Sequence, residues 1–136
     1  MLLQSTLSDE STMSQVGVVT LESIAEKIGL SEKEKLAVNS LTLLNPEVMK
    51  AQYPSSDALA AEAQRYVEEG NKVVAGNRYE SAAKLALYEE NMSASRKYLE
   101  KAIEMGRGSP FDIALSNFDK VAKCVVDYYK NKTSTV

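Results

Sequence analysis

The chain contains no histidine and no tryptophan, and its single cysteine is Cys124. The missing histidine removes Ser-His-Asp and Cys-His catalysis, histidine-ligated zinc and imidazole acid–base chemistry. One cysteine excludes an intrachain disulfide and thiolate-held zinc or iron–sulfur centres, and it suits a reducing compartment. No apolar run approaches the roughly 20 residues that a membrane-spanning helix needs. The N-terminal residues lack the basic and apolar blocks of a secretory signal. The expected location is therefore the cytoplasm, with no membrane partner. No cofactor, metal or catalytic residue is assigned. Chemistry by Tyr, Lys, Arg and carboxylates stays open, since these groups work without histidine.

An excess of basic residues is also missing. The net charge is −3, which argues against a general nucleic-acid coat, because phosphates need clustered Lys and Arg. Residues 1–54 hold four bases and seven acids, and residues 55–136 hold twelve of each. Nucleic acid remains possible as a partner only through a local patch in the second part.

Strand signals are absent too. No stretch alternates apolar and polar residues between hairpin turns, and Val16–Thr20 is β-prone but isolated. What is present is helical punctuation. Residues 1–19, rich in Ser, Thr and Gln, read as a flexible leader. Thr20 suits the cap of a helix stopped by Gly29, and Ser31 with Glu34 forms a capping box for the next. Leu36, Leu41 and Leu44 supply its apolar spacing, and Asn45-Pro46 ends it. Residues 53–56 read as a linker.

From 57 to 75 the seam Leu59, Ala63, Tyr66, Gly70 and Val73 predicts one long helix stopped by Gly76-Asn77. A second pattern runs over 78–105, with Leu85, Tyr88, Met92, Ser95, Leu99 and Ala102 on its seam. Glu89-Glu90-Asn91 is a credible kink or break in it. After a loop at 106–108, Ser109-Pro110 reads as N-cap and first residue of a helix over 110–131. Its apolar face is Phe111, Ala114, Leu115, Phe118, Val121, Ala122, Val125 and Tyr129. The expected fold is all-α: a single domain over 20–131, with two or three short helices over 20–52 ahead of an antiparallel bundle of three long helices over 57–131. Residues 132–136 are expected to fray.

Two constellations stand out. Arg107, Gly108 and Ser109 precede a helix start, where free N–H groups, a hydroxyl and a guanidinium suit an anion or nucleotide; Arg78 and Lys84 are the nearby bases. Tyr66, Tyr88, Tyr98 and Tyr128 mark a candidate interface, because tyrosine is enriched in binding hot spots. The adjacent pairs Glu68-Glu69 and Glu89-Glu90 diverge by about 100° on a helix, so neither shares a proton or a metal.

Three resemblances follow from these residues. Leu21–Ser31, with Ala25 and Gly29, resembles the first helix and turn of a helix-turn-helix. That implies DNA contact by the next helix, which offers Glu32, Lys33, Glu34 and Lys35 and no Arg. Gly76-Asn77-Arg78-Tyr79 with the alanine-rich run to Ala86, and later Tyr98–Ile103, resembles the HEPN group of helical nucleotide-associated modules. That resemblance implies a bundle that often dimerises. Catalytic members carry an Arg and a His with four to six residues between them; Arg107 stands at the Arg, but the His positions hold Asp112, Ile113 and Ala114, so ribonuclease activity is not implied. Gly70, Tyr79, Ala82 and Tyr98–Ile103 are similar to a degenerate tetratricopeptide-type helix pair, without the expected 34-residue period.

The leading expectation is a non-catalytic helical protein that binds a protein partner or itself, as a homodimer. A HEPN-like nucleic-acid or nucleotide module ranks second, and a helix-turn-helix regulator third.

Overall fold

The computed structural model describes residues 20–134 and holds eight helices and no strand among them: α1 Leu21–Ile28, α2 Glu32–Ser40, α3 Pro46–Gln52, α4 Ser56–Glu68, α5 Lys72–Tyr88, α6 Met92–Glu104, α7 Phe111–Ser116 and α8 Phe118–Ser134. The chain is all-α, as its punctuation predicts. The expected leader over 1–19 lies outside the described residues. The expected tail starts inside α8, and residues 135–136 lie outside the description.

Each early boundary has a chemical cause. Thr20 Oγ1 accepts from the Ser23 N–H at 3.0 Å, and the Ser23 hydroxyl oxygen accepts from the Thr20 N–H at 3.2 Å. Gly29 closes α1 at φ 89°, a left-handed position that suits glycine. Ser31 and Glu34 form the reciprocal capping box at α2. The Ser31 backbone N–H holds the Glu34 carboxyl below the usual carboxylate range. Pro46 stands at the first position of α3, where its missing N–H costs nothing.

Three later turns share one form: Glu69-Gly70-Asn71, Glu89-Glu90-Asn91 and Met105-Gly106-Arg107. The middle residues take φ 81°, 61° and 108°. The third residue's N–H returns to a carbonyl five residues back: Asn71 to Tyr66, Asn91 to Ala86, Arg107 to Ala102. This closure satisfies carbonyls that the helix end leaves open. Asn71 and Asn91 then cap the next helix, each Oδ1 accepting from Val74 N–H at 3.2 Å or Ala94 N–H at 3.1 Å.

These turns move the helix ends that the apolar pattern predicts. The helix expected over 57–75 stops at Glu68, and Gly76-Asn77 lies inside α5 rather than after a helix. The reason is that Gly70 supplies the left-handed turn, while Gly76 supplies space: a Cβ there would sit 3.1 Å from Met105 Cβ. The 78–105 pattern breaks at Glu89–Asn91. The last pattern divides at Asn117, whose Nδ2 donates to the Ile113 carbonyl at 3.2 Å. Ser109 is not the cap of α7; Pro110 occupies that place after a cis Ser109–Pro110 bond.

α4, α5 and α6 pack as successive hairpins; α7 lies on α2 and α6, and α8 lies on α1, α2 and α5. One hydrophobic cluster runs from Ile24 to Tyr129 and includes Leu41, Leu59, Leu85, Leu87, Leu99 and Val121. The short helices therefore share the core of the long ones. Ala75, Ala82, Ala83 and Ala86 are buried along α5, where small side chains let neighbours approach on both sides. Ser95, Tyr79 and Tyr129, polar groups in this core, are bonded. Ser95 Oγ donates to the Ala83 carbonyl at 2.8 Å. Tyr79 donates to Gln64 at 3.0 Å, and Tyr129 accepts from the Leu43 N–H at 2.7 Å.

Three expected core residues lie outside. Leu36 is 60% exposed, Leu44 87% and Val73 75%. In α2 the inward face is Ala37, Val38 and, at the C-cap, Leu41, which turns Leu36 outward; Leu44 falls beyond the helix end. Val73 follows the break at Gly70, so the seam that predicted its burial does not continue to it.

Candidate functional site

The five residues expected at an anion site fall in two places. Arg78 is on the α4 side of α5. Its Nε lies 2.8 Å from Glu62 Oε2, and its guanidinium carbon stands 5.8 Å from the centre of the Tyr66 ring. The Arg78 hydrogen bond holds the Glu62 carboxyl below its ordinary range, with a further hydrogen bond from Tyr53. Two residues along α5, about 200° around the helix, Glu80 receives two cations. Lys84 Nζ is 2.8 Å from its Oε2, and Arg107 Nη2 is 2.7 Å from its Oε1.

Arg107 owes its position to Gly76. Its Cγ and Cδ lie 3.3 Å from where a Cβ of residue 76 would be, and its guanidinium carbon is 5.6 Å from the Phe111 ring centre. Arg107 Nε and Glu80 Oε1 are buried without a hydrogen-bond partner, so the 2.7 Å approach through Nη2 is a charge pair off hydrogen-bond geometry. Ser109 does not face this pair as a donor, because its hydroxyl donates to Asp112 Oδ1 at 2.9 Å. Gly108 is exposed with open space around it. An incoming anion at 107–109 would meet Glu80 and Asp112 as well as the bases.

The four tyrosines fall in three places. Tyr66 is half-buried beside Arg78. Tyr88 meets Tyr129 edge-on at 5.2 Å, and Tyr128 lies 5.9 Å from the same ring. Tyr98 is 8% exposed, stacks on Tyr79 at 6.4 Å, and donates to Asp57 at the start of α4. Burial, with Asp57 adding to it, pushes the Tyr98 hydroxyl up to about 12. Cys124 is buried, and burial pushes its thiol up to about 11, away from the reactive thiolate form.

One of the two lysines on the helix that would read DNA is engaged. Lys35 Nζ lies 3.3 Å from Glu32 and 3.6 Å from Glu26. Among the described residues, no group of three His, Cys, Asp or Glu could hold a metal, and no helix is long and apolar enough to cross a membrane.

What the apolar pattern misses is an outward surface. Leu36, Leu44 and Val48, which is 65% exposed, lie together in the sequence on α2, α3 and the connection between them. A signal for Val48 was available: α3 starts at Pro46 and, at seven residues, is too short for a full amphipathic face. No protein-family model matches the chain, and neither a curated protein nor a solved structure matches it.

Proposed function

We propose that the protein is a non-catalytic helical module that binds a protein, a second copy of itself included, through the outer surface of α2 and α3. The observation that carries this reading is the exposure of Leu36, Leu44 and Val48 at 60%, 87% and 65% in one short stretch of chain. Large aliphatic side chains exposed to solvent are removed from water when a partner covers them. The state of the charged groups supports it. Arg78, Lys84 and Arg107 are each within 3 Å of a carboxylate oxygen, at 2.8, 2.8 and 2.7 Å. A phosphate would have to displace those partners first. The HEPN resemblance, whose members often dimerise, points the same way.

The test is native mass spectrometry of the protein purified gently from its own source, with sedimentation velocity across concentration. The expected result is a discrete dimer or one stoichiometric protein partner. Leu44→Ser/Val48→Ser removes that species and leaves the helical circular-dichroism spectrum unchanged. A monomer at every concentration, with no bound protein, overturns the reading.

A further inference from the structure

The clefts around the first two helices differ in charge. A groove of about 280 Å³ runs between α1 and α2, with Leu21, Ala25, Leu36 and Val38 as its apolar lining and Glu22, Glu32 and Lys35 at its edges. Glu26 joins this side through its contact with Lys35. Three carboxylates thus face one ammonium. That ammonium is held by two of them, at 3.6 Å from Glu26 and 3.3 Å from Glu32. The Glu32 side chain is 91% exposed. The other lysines of these helices turn into different clefts. Lys27 lines the one between α1 and α8 beside Asp127, and Lys33 lines the one between α2 and α7 beside Glu34 and Asp112. Among the described residues, the α1–α2 groove therefore combines an exposed leucine with an edge of three carboxylates to one ammonium.

We infer that this groove docks a basic amphipathic segment of a partner protein, an aliphatic or aromatic side chain entering over Leu36 while flanking Lys or Arg residues meet Glu22, Glu26 and Glu32. The apolar anchor supplies the affinity, and the carboxylates orient the segment and speed its approach. The same carboxylates repel phosphate backbones and anionic headgroups, which sets nucleic acid and acidic membranes aside as occupants. The inference rests on the protein-interaction reading and gives it a partner chemistry at a groove that shares only Leu36 with the α2–α3 surface.

The experiment is a heteronuclear NMR titration of the full chain with a designed helical peptide of leucine and lysine, beside a counterpart with glutamate in place of lysine. The expected result is saturable shifts of α1 and α2 amides with the lysine peptide alone, weakening with added salt. Glu22→Gln/Glu26→Gln/Glu32→Gln lowers the affinity by roughly tenfold, as loss of several edge charges does, and Leu36→Ser lowers it independently. These positions are at the surface, and an unchanged spectrum outside α1 and α2 verifies the fold of each variant. Leu44→Ser/Val48→Ser keeps peptide binding even where it abolishes the native complex. Equal binding of the glutamate peptide, shifts centred on other helices, or α1–α2 shifts that follow protein concentration without peptide each overturn the inference; the last identifies a second copy as the occupant.

Discussion

A methyl group added at Gly76 would lie 3.1 Å from Met105 Cβ and 3.3 Å from two carbons of Arg107. Small-to-large changes at such contacts force backbone and side-chain shifts. Gly76→Val is expected to lower the unfolding free energy by about 1–3 kcal/mol, read from urea denaturation. Gly108→Val is the matched comparison: nothing lies within 4 Å of its added Cβ, so a change within about 0.5 kcal/mol is expected. Tyr98→Phe removes the hydroxyl that donates to Asp57. It is expected to cost about 0.5–1.5 kcal/mol, measured in the same assay. At this scale the sequence shows residue type without partner. Tyr66, Tyr88, Tyr98 and Tyr128 look alike in the chain. A cation beside one ring, a ring edge against another and a carboxylate at a third hydroxyl separate them.

Among the elements, the turn at Glu89–Asn91 carries a testable strain. Glu90 is the single non-glycine residue at positive φ among the described residues, at 61°, where the two sister turns hold Gly70 and Gly106. A side chain costs about 1–2 kcal/mol in that region. Glu90→Gly is expected to raise the thermal midpoint, partly offset by the greater freedom of glycine in the unfolded chain. Asn91→Ala is expected to lose about 0.5–2 kcal/mol with the cap of α6, read by chemical denaturation. The comparison of Gly70-Asn71 with Gly76-Asn77 shows why helix ends were partly legible. Caps at Thr20 and Ser31 are local chemistry, written in three neighbouring residues. A Gly-Asn pair has two uses, a left-handed turn or a close approach between helices, and only the packed neighbour of Gly76 decides between them. The break in the 78–105 pattern was half legible: Glu89-Glu90-Asn91 is a polar run, but the seam passes across it at unbroken helical spacing. The outward turn of Leu36 was not legible, because it depends on which face of α2 meets α7 and α8. The cations of the candidate anion site were readable as residues. Their engagement by Glu62 and Glu80 depends on helices brought together only in the fold.

For the molecule as a whole, alkaline pH is the informative variable. Burial pushes Tyr98 and Tyr129 from 10.0 up to about 12, and Cys124 from 9.0 up to about 11. Between the unfolded and folded values the unfolded chain binds fewer protons, so stability falls as pH rises. The contribution is whole below pH 9, declines first through Cys124, and is lost as pH passes through about 12. The urea midpoint is expected to fall across this window, and Tyr98→Phe/Tyr129→Phe is expected to make that fall shallower. A midpoint independent of pH up to about 12 contradicts the burial of these hydroxyls.

The contacts that join the first helices to the last have a consequence for synthesis. The Cys124 thiol reaches the Leu21 carbonyl across 103 positions, and the Leu43 N–H reaches Tyr129 across 86. The hairpins of α4, α5 and α6 need only neighbouring chain. On a ribosome, α1 and α2 emerge well before α7 and α8, the helices they pack against. Their inner face, with Ile24, Ala25, Val38 and Leu41, stays open to solvent while the rest of the chain is made. Transiently open apolar surface of this kind is what makes incomplete chains prone to aggregate.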